Sequence, residues 1–166
     1  MQVSTLRQVS TVHFIFNNMP RKTERILLLL LCKPNAMKHA SIAEVQHVIC
    51  KWIIPSAIFS GIGGCSSAEL QVFIPETGNF ETELLEGMLE LVSLNGNVVS
   101  ADDGQLYHHT HALFSFKRDG QHGMAGGHLK STTVLYTAEI ELRPTFGGSI
   151  GRKFDPETGT GFWNFK

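Results

Sequence analysis

An amphipathic segment over residues 41–53, followed by short apolar runs punctuated by glycine, Asp-Gly and Asn-Gly, predicts an α+β fold in one compact domain with few helices. A length of 166 residues suits one ordinary domain that buries a core without disulfides or a structural metal. Hydrophobic residues make up 42% of the chain, which excludes a disordered polypeptide, whereas charged residues, at 17%, fall below the usual share of about a quarter. That scarcity of charge points to surface covered by other subunits, because interface centres are depleted in charge. A monomer with a polar, glycine-rich surface is the alternative.

The N-terminal segment, residues 1–24, gives no clear periodic signal and stays unassigned, with Val12 to Phe16 as an edge-strand candidate. Ile26 to Leu31 is apolar at every position and too short for a helix, so it reads as a strand buried on both faces. Ser41 and Glu44 have capping-box spacing. Ile42, Val45, Val48, Ile49, Trp52 and Ile53 then recur at helical spacing until Pro55 closes the segment. Ala57 to Phe59 and Ala68 to Ile74 read as strands on either side of a turn or bulge at Gly61-Ile62-Gly63-Gly64. A phosphate-binding loop is excluded there, because a β pattern follows the glycines instead of a helix, and no Gly-Lys-Ser/Thr is present. A Leu-rich stretch from Glu81 leads into Asn95-Gly96-Asn97, which predicts a hairpin-type turn before Val98-Val99. Tyr107 to Phe116, Leu129 to Tyr136 and Ala138 to Leu142 are further strands, separated by Asp119-Gly120 and by the glycines of 123–127. The tail has a turn signal at Asp155-Pro156-Glu157-Thr158-Gly159, then Phe162, Trp163 and Phe165, aromatics suited to docking on the body.

A net charge of −1 offers no field to attract a polyanion such as DNA. Arg21, Lys22 and Arg25, and separately Arg143, Arg152 and Lys153, form no run long enough to track phosphates and read as solvated surface. Cys32, Cys50 and Cys65 are odd in number and lack Cys-x-x-Cys spacing, which fits reduced thiols in a cytoplasmic protein. No apolar run approaches the ~20 residues that span a bilayer, so no membrane partner is expected. Serines near glycine, such as Ser60, Ser66 and Ser67, form no Gly-x-Ser-x-Gly elbow, and no catalytic residue is assigned.

The compositional anomaly is histidine: five of the eight lie between His108 and His128. On a strand, alternate residues share a face, so His109 and His111 project together and His108 projects oppositely. With backbones about 6 to 7 Å apart, their rings can converge on one ion. His128, at the start of the next strand, is the natural third ligand, and His122 in the preceding loop is the weaker choice. Three neutral imidazoles suit a divalent transition metal such as zinc and leave a position open. The competing reading makes them hydrogen-bonded surface or interface histidines. Carboxylates available to orient the rings are Glu90, Asp103, Glu139 and Glu141, with Glu139 the first choice.

One ordered set of motifs carries a resemblance: Ser56-Ala57-Ile58-Phe59-Ser60-Gly61-Ile62-Gly63-Gly64, Glu90 through Val98, His109-Thr110-His111, Gly126-Gly127-His128-Leu129, Thr137-Ala138-Glu139-Ile140 and Arg152 through Gly159. Together they resemble the PPC (plants and prokaryotes conserved) domain across residues 25–166. The resemblance implies an α+β fold with a largely antiparallel sheet, a homotrimer, and a DNA-binding label. In plant relatives that label rests largely on an attached Arg-Gly-Arg-Pro arm, which Gly151-Arg152-Lys153-Phe154 does not reproduce. His109, His111 and His128 fall on the family's histidine positions. A distant likeness to acetolactate decarboxylase, whose metal is held by histidines, implies a metal-dependent enzyme acting on a small molecule as the alternative function.

Overall fold

A computed structural model describes residues 12–15, 26–31, 56–100, 105–145, 150–157 and 160–165. Every regular element among them is a β-strand: β1 (Val12–Ile15), β2 (Ile26–Leu31), β3 (Ser56–Ile74), β4 (Asn79–Ser100), β5 (Leu106–Arg118), β6 (Gln121–Pro144), β7 (Ile150–Asp155) and β8 (Thr160–Phe165). The α+β expectation is therefore corrected to all-β. The helix expected over 41–53, on which that expectation rested, lies outside the described residues, as do Cys32, Cys50 and Asp103. What remains is antiparallel sheet throughout, in the order β1-β2-β6-β3-β4-β5. Because β6 also pairs with β5, strands β3, β4, β5 and β6 form a closed circuit of hydrogen bonding. Closure removes the exposed edges that an open sheet would leave on β5 and β6.

The glycines explain why fewer, longer strands formed than the sequence reading expected. Gly61 to Gly64 is no turn: β3 runs through it with register shifts at Gly61/Gly63 and again at Cys65/Ser67. Across this irregular stretch the inward set changes from odd positions, Ala57 and Phe59, to even ones, Ala68 and Leu70. The glycines of 123–127 likewise lie within β6. Asn95-Gly96-Asn97 is not a hairpin turn but lies within the C-terminal part of β4, paired on one side with Ser60, Phe59 and Ile58 and on the other with His111, Thr110 and His109. Here the glycine serves a close approach. A Cβ on Gly96 would lie 2.4 Å from the buried Phe59 ring and 2.8 Å from the His109 carbonyl oxygen. Pairing on both sides outweighs the local turn preference of Asn-Gly. Gly96→Ala is expected to destabilise the fold by about 1–3 kcal/mol, the usual range for overpacking, read as a lower urea midpoint.

Asp119-Gly120 does turn the chain. Both residues have positive φ, 51° and 81°, the signature of a two-residue type I′ hairpin, and Arg118 pairs directly with Gln121 across it. The core lies inside the circuit, where Phe114, Leu70, Leu85, Leu89, Leu142, Val98 and Cys65 are the largest fully buried side chains. Burial pushes the Cys65 thiol pKa up, so Cys65 is a packing residue rather than a reactive thiolate. Val12–Ile15 is the edge strand expected there, hydrogen-bonded to β2. The β7–β8 hairpin forms a separate two-stranded sheet that packs against β4. No helix among the described residues is long and apolar enough to cross a membrane.

Candidate metal centre

Strand β5 alternates as a half-buried strand should. Thr110, Ala112 and Phe114 are buried, while Tyr107, His109 and His111 are exposed on the opposite face. His108 belongs to the inner set and sits with its Nδ1 3.3 Å from the Thr110 hydroxyl. Unbroken pairing back from the Asp119-Gly120 turn sets His128 of β6 directly opposite His111. Three imidazoles therefore meet on the outer face of the β5–β6 hairpin. Their ring centroids are 5.1 Å apart for His109 and His111, 5.0 Å for His109 and His128, and 4.2 Å for His111 and His128.

One nitrogen from each ring lies within 4.8 Å of the other two, and the Nε2 atoms of His109 and His111 are 3.2 Å apart. Tetrahedral zinc at the usual 2.0–2.1 Å from nitrogen needs nitrogen–nitrogen separations of about 3.3 Å. The first pair already has that spacing. A rotation of the His128 ring would have to supply the remaining closure, and three imidazole nitrogens are a donor set that fits a divalent transition metal. Phe80 stands edge-on to His128 at 5.2 Å and itself packs on Phe73 at 5.4 Å, giving the centre one apolar wall.

Crowding tunes the imidazoles toward the form a metal requires. The His109 pKa is lowered first by desolvation, then by the charges of His111, Arg152 and His108. That of His128 is lowered first by desolvation, then by His111 and His109. His109 is exposed as a residue, but stacking on its neighbours displaces water from the ring nitrogens. A lowered pKa keeps the imidazole neutral near pH 7, with a lone pair free for an ion.

The other sequence candidates fall elsewhere. His122 pairs with Lys117 beside the turn, six residues along β6 from His128 and hence roughly 20 Å away at strand spacing. Glu139 does not orient the rings. It pairs with Ile62 and, with Glu141, Ser60, Ser93 and Asn95, lines a hollow of about 330 Å³. Glu141 is separated from His111 by Ser60 and Asn95, three strand spacings or roughly 14 Å across the sheet, and it holds Arg143 in an ion pair at 3.0 Å. Glu90 lies opposite Ser115, four residues along β5 from His111.

Residues that do border the triad came from the tail. Trp163 donates its Nε1–H to Asn97 Oδ1 at 3.3 Å, and Asn97 is the pairing partner of His109. Arg152 lies over the Tyr107 ring, 5.8 Å from its centroid. Of the tail aromatics expected to dock, Trp163 reaches the body through its hydrogen bond to Asn97, yet it stays 46% exposed, and Phe162 and Phe165 are 52% and 71% exposed. In sequence, Arg152 looks like ordinary surface charge. Only the tail's turn signal and aromatics hinted that this segment folds back.

Known structures share this architecture. The metal-containing protein of Archaeoglobus fulgidus is 26% identical with a TM-score of 0.70, over 90% of this chain and 99% of that one. A plant- and prokaryote-conserved protein of Pyrococcus horikoshii is also 26% identical with a TM-score of 0.69, over 90% and 97% of the two chains. At 23% identity and a TM-score of 0.69, a protein of Ralstonia eutropha JMP134 described as a "putative DNA-binding protein" shares the fold over 84% of this chain and 90% of its own. No curated protein sequence matches significantly. The Plants and Prokaryotes Conserved (PCC) domain model matches residues 39–145, which span the whole β5–β6 hairpin and its three histidines, and the chain therefore belongs to the PCC family, the PPC domain that its motifs resemble.

Proposed function

We propose that this protein binds one divalent transition metal, zinc being the first candidate, through His109, His111 and His128, and leaves the remaining coordination position open. The convergence of three imidazoles on the outer face of one hairpin carries this reading. Likeness to the metal-containing Archaeoglobus protein supports it. Three histidines with an open position are the donor set of catalytic rather than structural zinc sites, so a metal-dependent reaction on a small molecule is the activity the site suits. When bound, such an ion polarises an oxygen ligand and lowers the pKa of bound water.

DNA binding, suggested by the description of the Ralstonia protein, ranks behind this reading on electrostatic grounds. Lys130 and Arg143 are paired with Glu69 and Glu141, and β4 exposes Glu81, Glu83, Glu86 and Glu90. Such a surface repels a phosphate backbone. We further infer a cytoplasmic homotrimer built from a domain spanning residues 25–166. Large apolar side chains such as Phe73, Leu84, Met88 and Tyr136 stand 44–61% exposed, and neighbouring subunits would cover them.

Elemental mass spectrometry on protein purified without a histidine tag or chelating column tests the metal reading. The expected result is about one transition-metal ion per chain, by the three-ligand argument. Light scattering of the same sample is expected to give roughly 55 kDa, three times the chain mass of 18.4 kDa. Metal-free protein that takes up no added zinc overturns the first reading, and an 18 kDa species, the mass of one chain, overturns the trimer.

A further inference from the structure

The metal reading leaves Arg152 unexplained. Tyr107, His109 and His111 alternate along one face of β5, and the Arg152 guanidinium lies on Tyr107, one side-chain position from His109. Alternate residues of a strand are about 6 to 7 Å apart, so the guanidinium stands roughly the length of a small molecule from the three imidazoles.

Its place is built rather than incidental. Arg152 pairs across the β7–β8 hairpin with Trp163, whose indole is hydrogen-bonded to Asn97 beside His109. The Arg152 stem runs over Gly161, where an added Cβ would lie 2.3 Å from Nε and 3.1 Å from both Cγ and Cδ. A glycine at that position thus provides the trough in which the side chain lies. The consequence is electrostatic: a fixed cation next to a site suited to a dication is repulsive unless an anion sits between them.

We propose that the open coordination position and Arg152 together bind one small oxyanion, with one ligand oxygen on the metal and the anionic group on the guanidinium fork. The inference rests on the metal reading and adds the ligand class. A planar fork of N–H donors accepts a carboxylate or a phosphate in bidentate fashion, which a lysine in the same place does not reproduce. A hydroxycarboxylate offers both the metal-facing oxygen and the anion in one small molecule, and inorganic phosphate offers both in one group.

The test uses full-length protein loaded with Co²⁺ in place of zinc, whose visible absorption reports ligands entering the coordination sphere. Glycolate and inorganic phosphate are titrated separately at constant ionic strength. A saturable spectral change with at least one of them is expected, and the tighter of the two identifies the ligand as carboxylate or phosphate. Arg152→Gln is expected to weaken that anion about 10-fold or more while cobalt stoichiometry stays at the wild-type value, since charged hydrogen bonds contribute on that scale. Arg152→Lys is expected to fall between, and Gly161→Ala, which keeps the charge but fills the trough, is expected to weaken binding as well. Cobalt bound without any anion response, or an Arg152→Gln affinity equal to wild type, sinks this inference and leaves the metal reading standing. Failure to bind cobalt at all removes the metal reading and this inference with it.

Discussion

His111→Ala is expected to lower transition-metal affinity by more than about 100-fold, beyond what loss of a merely supporting residue does, while changing the stability of the metal-free protein by no more than about 0.5 kcal/mol. His111 is the central member of the triad, 3.2 Å from His109 through Nε2 and paired directly with His128. Two imidazoles cannot replace the third, because among the described carboxylates Glu90, Glu139 and Glu141 all stand away from them. Exposure is what separates the two effects: the His111 side chain lies on the outer face, so truncation opens no cavity in the core. Equilibrium dialysis against zinc checks the first number and urea unfolding the second. Metal binding retained within threefold of wild type would remove His111 from the ligand set.

The same affinity should fall with acid. The pKa values of His109 and His128 lie below the ordinary imidazole value of about 6.5, so both rings are neutral at pH 7 and protons compete with metal only as pH drops through the lowered values. In the metal-free protein the sign runs the same way. Between about pH 6.5 and the folded values the unfolded chain takes up protons that the folded chain does not, so stability is fully present above pH 6.5 and declines as pH falls. Zinc titrations and unfolding midpoints between pH 5 and 8 measure the two effects separately.

Phe114→Ala is expected to cost about 3–5 kcal/mol, a large share of the roughly 5–15 kcal/mol that holds a domain together. Phe114 is 0% exposed and the largest of the fully buried side chains. It sits on the inner face of the same strand that carries His109 and His111 outward, paired with Leu91 and Ala125. Closed on all sides by β3, β4, β5 and β6, the interior cannot collapse around the missing ring without distorting the hairpin. Calorimetry should show a much lower unfolding temperature, while the fraction that remains folded still binds metal. A loss under 1 kcal/mol would mean that the interior relaxes freely and that the circuit of strands is looser than its hydrogen bonding indicates. Together, the two variants separate a residue that holds the ion from one that holds the strand.

Much of the strand content was legible because alternation along β5 and β6 is a local property of the pleat. The bulge allowed at Gly61–Gly64 is present, and the misreadings concerned other glycines. Gly96 and the glycines of 123–127 carry turn signals in sequence, yet they lie where a neighbouring backbone or ring approaches too closely for a Cβ, as do Gly61 and Gly63, the latter 2.6 Å from the Thr137 carbonyl oxygen. Local composition cannot distinguish a glycine that turns the chain from one that admits a neighbour, because the neighbour is distant in sequence. Glu139 was misplaced for the same reason: its position relative to the histidines depends on the pairing of β6 with β3.

The sequence by itself determined which imidazoles share a face of β5, through the period of two, and that the strand before Asp119-Gly120 ends there, a break the structure shows as a turn with two positive φ angles. From that turn, pairs count back from Arg118 and Gln121 to His111 and His128, provided that no bulge intervenes. Whether one does is not a local matter, since Gly123, Gly126 and Gly127 all lie within the counted stretch. Only the tertiary structure decided it, by closing β6 onto β5 and β3 together and so holding the register that brings His128 to the pair. It alone decided that Arg152 stands beside them, because that approach depends on where the β7–β8 hairpin lands on β4.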